Sequence, residues 1–443
     1  MAARATGDAV IARLRRGEAS DPEAFARRAE RYVEVMGASK GALMKAGQIL
    51  SFVPFASALP EENRRIFQTA MSRLQADAPP MAPELAAEVI RQELDASPDQ
   101  LFAEFSPLPF AAASIGQVHK ARLHDGSQVA VKVQYPGVGD AIRADLANVE
   151  LLAVFIQLLT AVVPGFSRID SKAIAAEISE RVTEELDYRL EAANQREFAE
   201  AYRGHPFVRI PEVYEEYSTG RVLTQQLMDG RRWVDAIGAS EDLRNAWGEA
   251  IYRFVFGTLR RLRLFNADPH PGNYLFHDDG TVSFLDFGCV KRFDDKTIRI
   301  MREVVCATVD GNADALLAAF LEAGMFDLVN PPAADDVLAW YQHSLRLLTD
   351  PQPALMTPES AAETIRGSWS PTGPSSEVVR ALNSPPDYVF LSRIDLGLLS
   401  VLGELHTTGP WRAIQDEMDR DAPPATPMGE ADAAFWAGRA AVR

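Results

Sequence analysis

The chain has 443 residues, of which 47% are hydrophobic and 24% charged, and its formal net charge is −17. The length exceeds that of one compact domain, and the composition is ordinary for a folded protein. The acidic balance argues against nucleic-acid binding, which usually requires a basic surface. Two cysteines, Cys289 and Cys306, are too few for a disulfide framework or a cysteine-rich metal site and fit a reducing compartment.

The N-terminal hundred residues are predicted to form helices, including helices at 61–76 and 83–94. In a helix over 41–50, Lys45 and Gln48 share one face, and Gly47 lets that face approach another backbone closely. The alternative is that Lys45 lies near a helix end, packs its aliphatic side chain on apolar surface and keeps its ammonium group in water. No nucleotide-binding pattern occurs in this segment.

Residues 107–134 change to the period of β-strands. Asp125-Gly126 predicts a hairpin turn, and Val129–Gln134 alternates as a strand that carries Lys132 in a V-A-V-K sequence. This arrangement is typical of the nucleotide-binding hairpin of a kinase, where such a lysine reaches the phosphates. Where kinases have a glycine-rich loop, this chain has three alanines and a serine, whose backbone N–H groups can still face an anion. These candidate phosphate-binding residues are Ala111, Ala112, Ala113 and Ser114.

A long acidic helix is predicted over 170–202, in the place of the helix that pairs with the kinase lysine. Glu184, Asp187 and Glu191 stand at positions i, i+3 and i+7 of this helix and therefore share a face. Glu185 points in another direction, so we predict Glu185 as the partner of Lys132. Strands are predicted near 207–217 and 221–228. Met228 then begins a hinge between two lobes, where the backbone is expected to contact an adenine.

The sequence with the clearest chemistry follows a predicted helix over 244–264. Asp268 and Asn273 are separated by four residues, and Asp286 follows after a hairpin-sized gap. Kinase-type phosphotransferases use one such carboxylate to orient or deprotonate the acceptor, and an Asn and a second Asp to hold metal ions. Asp268 is therefore predicted to be catalytic, and Asn273 and Asp286 to bind Mg²⁺. For His270, a hydrogen bond that orients this loop is favoured over a phosphate contact.

Five sequence blocks together resemble the UbiB/AarF family of atypical kinase-like proteins, which includes the mitochondrial coenzyme Q biosynthesis kinases. The blocks occur in family order within residues 40–295. Two of them, the KxGQ motif at Lys45–Gln48 and the alanine-rich loop at Ala111–His119, are together peculiar to this family. The five blocks are Lys45–Gln48, Ala111–His119, Val129–Gly137, Glu185–Tyr188 with Glu191–Asn194, and the set of Asp268, Asn273 and Asp286.

The predicted fold is α+β, a two-lobe protein-kinase-like fold with an N-terminal helical extension and extra C-terminal helices. The predicted domains are a helical extension over 1–105, an N-lobe with an inserted helix over 106–230, a C-lobe over 231–350, and a C-terminal linker and helices over 351–443. After Asp286 the chain lacks an activation loop and runs into a helix over 296–310. Helices at 313–326, 332–349 and 387–405 follow, with a long loop over 350–386 and loose structure after Thr407.

The resemblance implies binding of ATP or ADP with Mg²⁺, ATP hydrolysis or phosphotransfer to a small molecule or lipid, and a role in isoprenoid quinone or related lipid metabolism. Lys45 and Gln48 are predicted to cover the site by reaching the nucleotide pocket, Asp187 or Glu191. A nucleotide-regulated pseudokinase scaffold for biosynthetic enzymes is the alternative. A small-molecule kinase of the aminoglycoside type would share the metal-binding pattern but leaves the KxGQ segment unexplained.

The expected partners are a nucleotide, with lipid or quinone intermediates and biosynthetic enzymes as further candidates, and no nucleic acid. The sequence opens without the apolar core of a signal peptide. Residues 149–166 are the best membrane-span candidate, but Glu150, Gln157 and Pro164 interrupt them, so a packed helix is preferred. The predicted location is cytoplasmic, with peripheral membrane contact left open.

Overall fold

The computed structural model describes residues 81–113, 115–146, 176, 179–180, 182–266, 270–370, 373–383 and 385–440. Helix α1 (Pro83–Leu94) begins with a proline, whose missing N–H is not needed in the first turn, and ends at Asp95 with φ of 55°. It confirms the predicted 83–94 helix, and the short helix α2 (Pro98–Leu101) follows. The predicted helices at 41–50 and 61–76, with Lys45 and Gln48, lie outside the described residues.

The N-lobe is built on a five-stranded antiparallel sheet. In chain order its elements and their neighbours are β1 (Glu104–Phe105), β2 (Ala111–Ala113), β3 (Gly116–Arg122), β4 (Gln128–Gln134), helix α3 (Val138–Leu146), helix α4 (Tyr188–Tyr202), β5 (Val208–Arg209) and β6 (Val222–Gln226). The sheet order is β1-β3-β4-β6, and β2 also pairs with β3. Gly126, with φ of 92°, lies in the predicted turn between β3 and β4.

The acidic helix predicted over 170–202 is broken. Residues 182–184 are helical, but residues 185 and 186 form a turn, and Asp187 caps the new helix α4 by accepting a hydrogen bond from the Arg189 N–H at 3.0 Å. The prediction of one continuous helix is wrong, because the N-cap restarts the helical phase at Tyr188. The strands predicted near 207–217 and 221–228 are also shorter than expected, and Glu215–Tyr217 is a 3₁₀ turn.

The C-lobe begins with helices α5 (Trp233–Ala236) and α6 (Glu241–Leu262), close to the predicted 244–264 helix. Four short strands follow: β7 (Leu264–Asn266), β8 (Tyr274–Phe276), β9 (Val282–Phe284) and β10 (Val290–Arg292). β9 pairs with β8 and β5, whereas β10 pairs with β7. These two small sheets hold the segments on either side of the predicted catalytic residues.

The rest of the chain is almost entirely helical. The elements are α7 (Asp295–Asp310), α8 (Ala313–Glu322), α9 (Ala334–Ser344), α10 (Arg346–Thr349), β11 (Ala354–Leu355), α11 (Pro358–Trp369), α12 (Ser376–Ala381), α13 (Pro386–Glu404), β12 (Thr408–Gly409), α14 (Trp411–Arg420) and α15 (Pro427–Ala440). The long loop predicted over 350–386 and the loose structure predicted after Thr407 are therefore wrong. Pro358, Pro386 and Pro427 each stand at the start of a helix, where a proline is tolerated because its missing N–H is not needed.

The described residues contain three hydrophobic cores: one in the N-lobe, one in the C-lobe, and a third among α7, α8, α9 and α12 that includes Ile300, Phe320, Trp340 and Val378. In the N-lobe, α1 packs through Ala86 and Ile90 on the sheet residues Val129 and Val131. In the C-lobe, a larger core surrounds Trp247 of α6 and includes residues of α13 and α14. The C-terminal helices thus share a core with α6. The structure confirms the α+β class, and the exact domain limits stay a prediction.

Candidate nucleotide site

The centre of the candidate site is the ammonium group of Lys132. Lys132 lies on β4, between Val118 of β3 and Leu223 of β6. Its Nζ donates to both carboxylate oxygens of Glu191 at 2.8 Å and to Asp286 Oδ2 at 3.4 Å. The Lys132 and Glu191 side chains are 12% and 6% exposed, whereas that of Asp286 is 32% exposed. Asp286 is thus the most solvent-exposed of these three side chains.

The buried charges perturb one another's proton affinities. Burial would lower the pKa of Lys132, but the carboxylates of Asp286 and Glu191 outweigh it and hold the pKa well above its usual value. Burial raises the pKa of Glu191 to about 7, although Lys132 acts in the opposite direction. Lys132 Nζ also lies 4.9 Å from the ring centroid of Tyr188, within the range of a cation–π contact. Lys132 therefore stays positively charged at neutral pH.

The structure pairs Lys132 with Glu191, whereas the sequence analysis predicts Glu185 as its partner. Glu185 also lies near this cluster, with its Cγ atom 3.8 Å from the place of a Cβ atom on Gly288, and a role for it beside Lys132 stays a prediction. Glu185 lies on the turn before α4, so the helical phase that singled it out does not apply. The same break removes the common face predicted for Glu184, Asp187 and Glu191. Asp187 caps α4, and Glu191 points into the site.

Helix α4 is fixed to the N-lobe at its first turn. The Gln134 side chain of β4 donates to the Leu186 carbonyl at 2.8 Å, and the Tyr188 N–H donates to the Gly220 carbonyl at 3.0 Å. These bonds hold the turn that precedes the helix against the sheet. Glu191, one turn along α4, is thereby placed beside Lys132.

The Asp286 segment is fixed from several sides. Asp286 Oδ1 accepts from the Gly288 N–H at 2.9 Å, and the Asn266 side chain donates to the Asp286 carbonyl at 2.8 Å. The next residue, Phe287, is fully buried and stacks at a tilt on Phe198 of α4, with ring centroids 4.9 Å apart. Together these contacts leave the second carboxylate oxygen of Asp286 directed towards Lys132.

Asn273 belongs to a 3₁₀ turn beside the same segment. Its carbonyl accepts from the Leu285 N–H at 3.0 Å, which brings Asn273 next to Asp286 in space. His270 Nδ1 accepts from the Gly272 N–H at 3.0 Å, which confirms the predicted loop-orienting hydrogen bond. Asp268, the predicted catalytic carboxylate, lies outside the described residues.

The donor set fits Mg²⁺ better than a softer metal. Asp286 and Asn273 offer oxygen atoms, and Mg²⁺ usually takes one or two protein oxygens together with phosphate oxygens and water. Among the described residues no group of three His, Cys, Asp or Glu side chains could hold a metal ion.

The alanine-rich segment forms a strand rather than an open loop. Ala111 pairs with Val118, and Ala113 pairs with Gly116 in a tight hairpin. A Cβ atom on Gly116 would lie 2.2 Å from the Val133 carbonyl oxygen, so only glycine fits between β3 and β4. Ser114 lies outside the described residues, and contact between this hairpin and phosphate stays a prediction.

The hinge is ordered on both sides of Met228. The Leu227 N–H donates to the Gln128 carbonyl at 3.0 Å, and Arg231 exchanges backbone hydrogen bonds with Phe276 of β8. Met228 is half-buried between these two anchors. The adenine contact predicted here is compatible with this geometry and stays a prediction.

Several residues that shape the site were not predicted. Inward-facing positions of α4 recur at helical spacing from Glu191 through Asn194 and Phe198, and Asn194 donates to the Phe287 carbonyl at 3.2 Å. Restarting the helical phase at an aspartate N-cap would have identified this buried face and its single acid. The inward direction of Glu191 could therefore be predicted from the sequence, whereas the contacts of Gln134 could not.

A family model described as the ABC1 atypical kinase-like domain matches residues 73–320. The chain belongs to this family. The match confirms the UbiB/AarF resemblance and places all of the described site residues inside the family domain.

Curated relatives and one solved structure agree with this assignment. "Atypical kinase COQ8B, mitochondrial" from Rattus norvegicus is 33% identical over 301 residues, which is 68% of this chain and 55% of that protein. "Protein ACTIVITY OF BC1 COMPLEX KINASE 8, chloroplastic" from Arabidopsis thaliana is 32% identical over 64% of this chain and 36% of that protein. The chain thus spans about half or less of these relatives' own lengths.

The structural match is more complete. A complex of Rv3197 with erythromycin from Mycobacterium tuberculosis has a TM-score of 0.62 and 29% identity, and the match covers 89% of this chain and 96% of that chain.

No helix within the described residues is long and apolar enough to cross a membrane. Residues 149–166, the candidate span weighed from the sequence, lie outside the described residues.

Proposed function

We propose that this protein binds ATP or ADP with Mg²⁺ and acts as an atypical kinase or ATPase on a small or lipid-like acceptor. The observation that carries the proposal is the buried ammonium of Lys132, held at 2.8 Å by Glu191 and at 3.4 Å by Asp286. A lysine paired with a helix glutamate beside a metal-binding aspartate is the arrangement that phosphoryl transfer requires in kinases.

The proposed roles follow from charge and position. Lys132 binds nucleotide phosphate oxygens, and Glu191 orients its ammonium. Asp286 and Asn273 hold Mg²⁺, which when bound neutralises charge on the phosphates. Asp268 orients or deprotonates the acceptor, as its position in the sequence motif suggests.

The test is a titration of a fluorescent ATP analogue with and without Mg²⁺. Wild type is expected to bind more tightly with Mg²⁺, and Asp286→Asn is expected to lose this Mg²⁺ dependence and to lose nucleotide hydrolysis. Asp279→Asn is the matched control, because Asp279 pairs with Arg209 and both side chains are about half exposed, 41% for Arg209 and 54% for Asp279. Undiminished Mg²⁺-dependent hydrolysis by Asp286→Asn would contradict the assignment.

The alanine hairpin gives a second test of the nucleotide site. We expect Ala113→Gly to change the affinity for ATP relative to ADP, because the substitution adds backbone freedom at the pair with Gly116. The measurement is the ratio of the two dissociation constants in wild type and variant. Identical affinities for both nucleotides would count against this hairpin as the phosphate cradle.

The stiff hairpin also favours the alternative of a nucleotide-regulated scaffold that does not transfer phosphate. Tight nucleotide binding without turnover in the same assays would select this alternative.

For the biological role we propose isoprenoid quinone or related lipid metabolism, with biosynthetic enzymes as partners and a cytoplasmic location that includes peripheral membrane contact. Metabolite profiling of a deletion strain tests this role, and unchanged quinone intermediates would oppose it.

A further inference from the structure

The last helix of the described chain, α15, packs against the C-terminal end of α4. Arg439 of α15 donates to the Glu200 carbonyl at 2.7 Å and to the Arg203 carbonyl at 3.4 Å. The last carbonyls of a helix have no partner within the helix, and a cation is favoured there by the helix dipole. Because the last turn of α4 contains no basic residue, Arg439 supplies this charge from another element.

Ring contacts add to the same interface. The Trp436 ring of α15 meets the Tyr202 ring of α4 edge to face, with centroids 5.5 Å apart. The Arg261 guanidinium of α6 lies 5.1 Å from the Trp436 ring centroid, within the range of a cation–π contact. Trp436 therefore lies between the end of α4 and the end of α6.

A buried carboxylate fixes α15 to the C-lobe. Asp432 is 4% exposed and accepts from Arg261 at 2.6 Å, from the Trp436 indole at 3.1 Å and from His205 Nε2 at 3.0 Å. His205 Nδ1 accepts from the Val208 N–H at 3.3 Å, so the proton of the neutral ring lies on Nε2. The position of α15 is thus set by α6 and by the segment that follows α4.

The opposite end of α4 carries the carboxylate of the nucleotide site. Glu191 and Tyr202 are eleven positions apart in one helix, or about 16 Å along its axis. The first turn is held by the N-lobe, and the middle contacts the Phe287 carbonyl through Asn194. A constraint on the last turn therefore limits how far the whole helix can rotate or slide.

We propose that Arg439, Trp436 and Asp432 are positioning residues of the nucleotide site, which hold α4 so that Glu191 stays paired with Lys132. This inference rests on the proposed nucleotide binding. It makes the C-terminal helix part of the machinery that sets nucleotide affinity, although α15 lies at the far end of α4 from Lys132.

The test is a double-mutant cycle in the full chain, read as affinity for a fluorescent ATP analogue with Mg²⁺. Arg439→Ala is expected to weaken affinity by about three- to tenfold, within the range of coupled positions in one network. In a Glu191→Gln background the same substitution is expected to cause no further loss, because the positioned group has already been removed. Arg439→Lys is expected to restore part of the affinity.

Arg420→Ala is the matched control, because Arg420 pairs with Asp310 and links α14 to α7 instead. It is expected to leave nucleotide affinity unchanged. Equal losses from Arg439→Ala in both backgrounds, or no loss in either, would overturn the positioning role.

A second measurement separates this inference from the proposed function. Hydrogen exchange at the amides of residues 189–194 is expected to accelerate in Arg439→Ala and not in Arg420→Ala. A wild type that binds no nucleotide would refute the proposed function, and the exchange rates would still decide whether α15 restrains the Glu191 turn. Unchanged exchange in Arg439→Ala would overturn the restraint itself.

Discussion

At the scale of single residues, the site is a balance of one cation and two carboxylates. Lys132 is buried and charged, and Glu191 and Asp286 supply the opposing charge. The lysine and the aspartate could be predicted because short motifs mark them. Glu191 could not be assigned in the same way, because its direction depends on where α4 begins and not on the residues beside it.

The first prediction concerns the pair itself. At pH 8, Glu191→Gln should lower the free energy of unfolding by about 2 kcal/mol, because Lys132 loses both 2.8 Å hydrogen bonds to carboxylate oxygens and keeps only Asp286, at 3.4 Å, as an anionic partner. Equilibrium unfolding in urea measures this loss, provided that the dependence of the unfolding free energy on urea concentration is the same in wild type and variant. Glu185→Gln is the matched control and should cost less, because the Lys132 contacts at 2.8 Å are to Glu191. A larger loss from Glu185→Gln would return the role to that residue.

The second prediction concerns pH. Since the pKa of Glu191 is raised to about 7, this carboxyl takes up a proton as the pH falls from 8 to 6 and then holds Lys132 less strongly. Nucleotide affinity is therefore expected to fall across this range, with a midpoint near 7. The measurement is a titration series over pH. Glu191→Gln should lack the same step, and an identical profile in the variant would assign the titration to another group.

At the scale of secondary structure, most elements follow from local patterns, and the failures have a common cause. Strands β3 and β4, their turn, and helices α1, α6 and α7 match the alternation, turn and periodicity signals. The break before α4 and the start of α11 depend on capping residues, which hydrophobic periodicity alone does not reveal. Thr357 and Ser360 form a capping box at the start of α11, inside the segment predicted as a loop.

The third prediction tests the cap of α4. Asp187→Ala should lower the free energy of unfolding by about 1 kcal/mol through the lost N-cap, and should also weaken nucleotide affinity because the Glu191 turn follows directly. Asp294→Ala is the matched control, since Asp294 caps α7 by accepting from the Thr297 N–H at 2.8 Å. The control should lose comparable stability and keep its nucleotide affinity. Loss of affinity in both variants would mean that global stability, and not α4, sets binding.

At the scale of the whole molecule, α4 is the element that joins the parts. It is bonded to the N-lobe sheet at its start, to the Asp286 segment in its middle and to α15 at its end. The two-lobe fold could be predicted from the order of motifs. The docking of α15 could not, because its buried contacts come from residues more than two hundred positions apart, such as His205 and Asp432.

The fourth prediction follows from this long-range contact. Burial lowers the pKa of His205 from 6.5, although Asp432 acts in the opposite direction. Below neutral pH the unfolded chain therefore binds a proton at this histidine before the folded chain does. The free energy of unfolding is expected to fall as the pH drops through 6.5 towards the lower folded-state pKa, and to show no further loss from this group below it.

Thermal unfolding at pH 7.5 and 5.5 measures this effect. His205→Gln should be less stable than wild type at pH 7.5, and its stability should decrease less between the two pH values. His124→Gln, at an exposed histidine, should keep the full decrease seen in wild type. A wild-type decrease that is fully retained in His205→Gln would assign the pH dependence to other groups.

Strand β10 begins four residues after Asp286 and pairs directly with β7, the strand that precedes the predicted catalytic residue Asp268. The pairs Val290–Asn266 and Arg292–Leu264 close this path, and Arg292 also bonds Glu197 of α4 at 2.6 Å. Only three residues lie between Asp286 and β10, so a phosphate group added to this segment would have no long loop to order. In kinases such a segment is where phosphorylation orders the site, and here we expect control to come instead from occupancy by ligands or from contacts made by other helices.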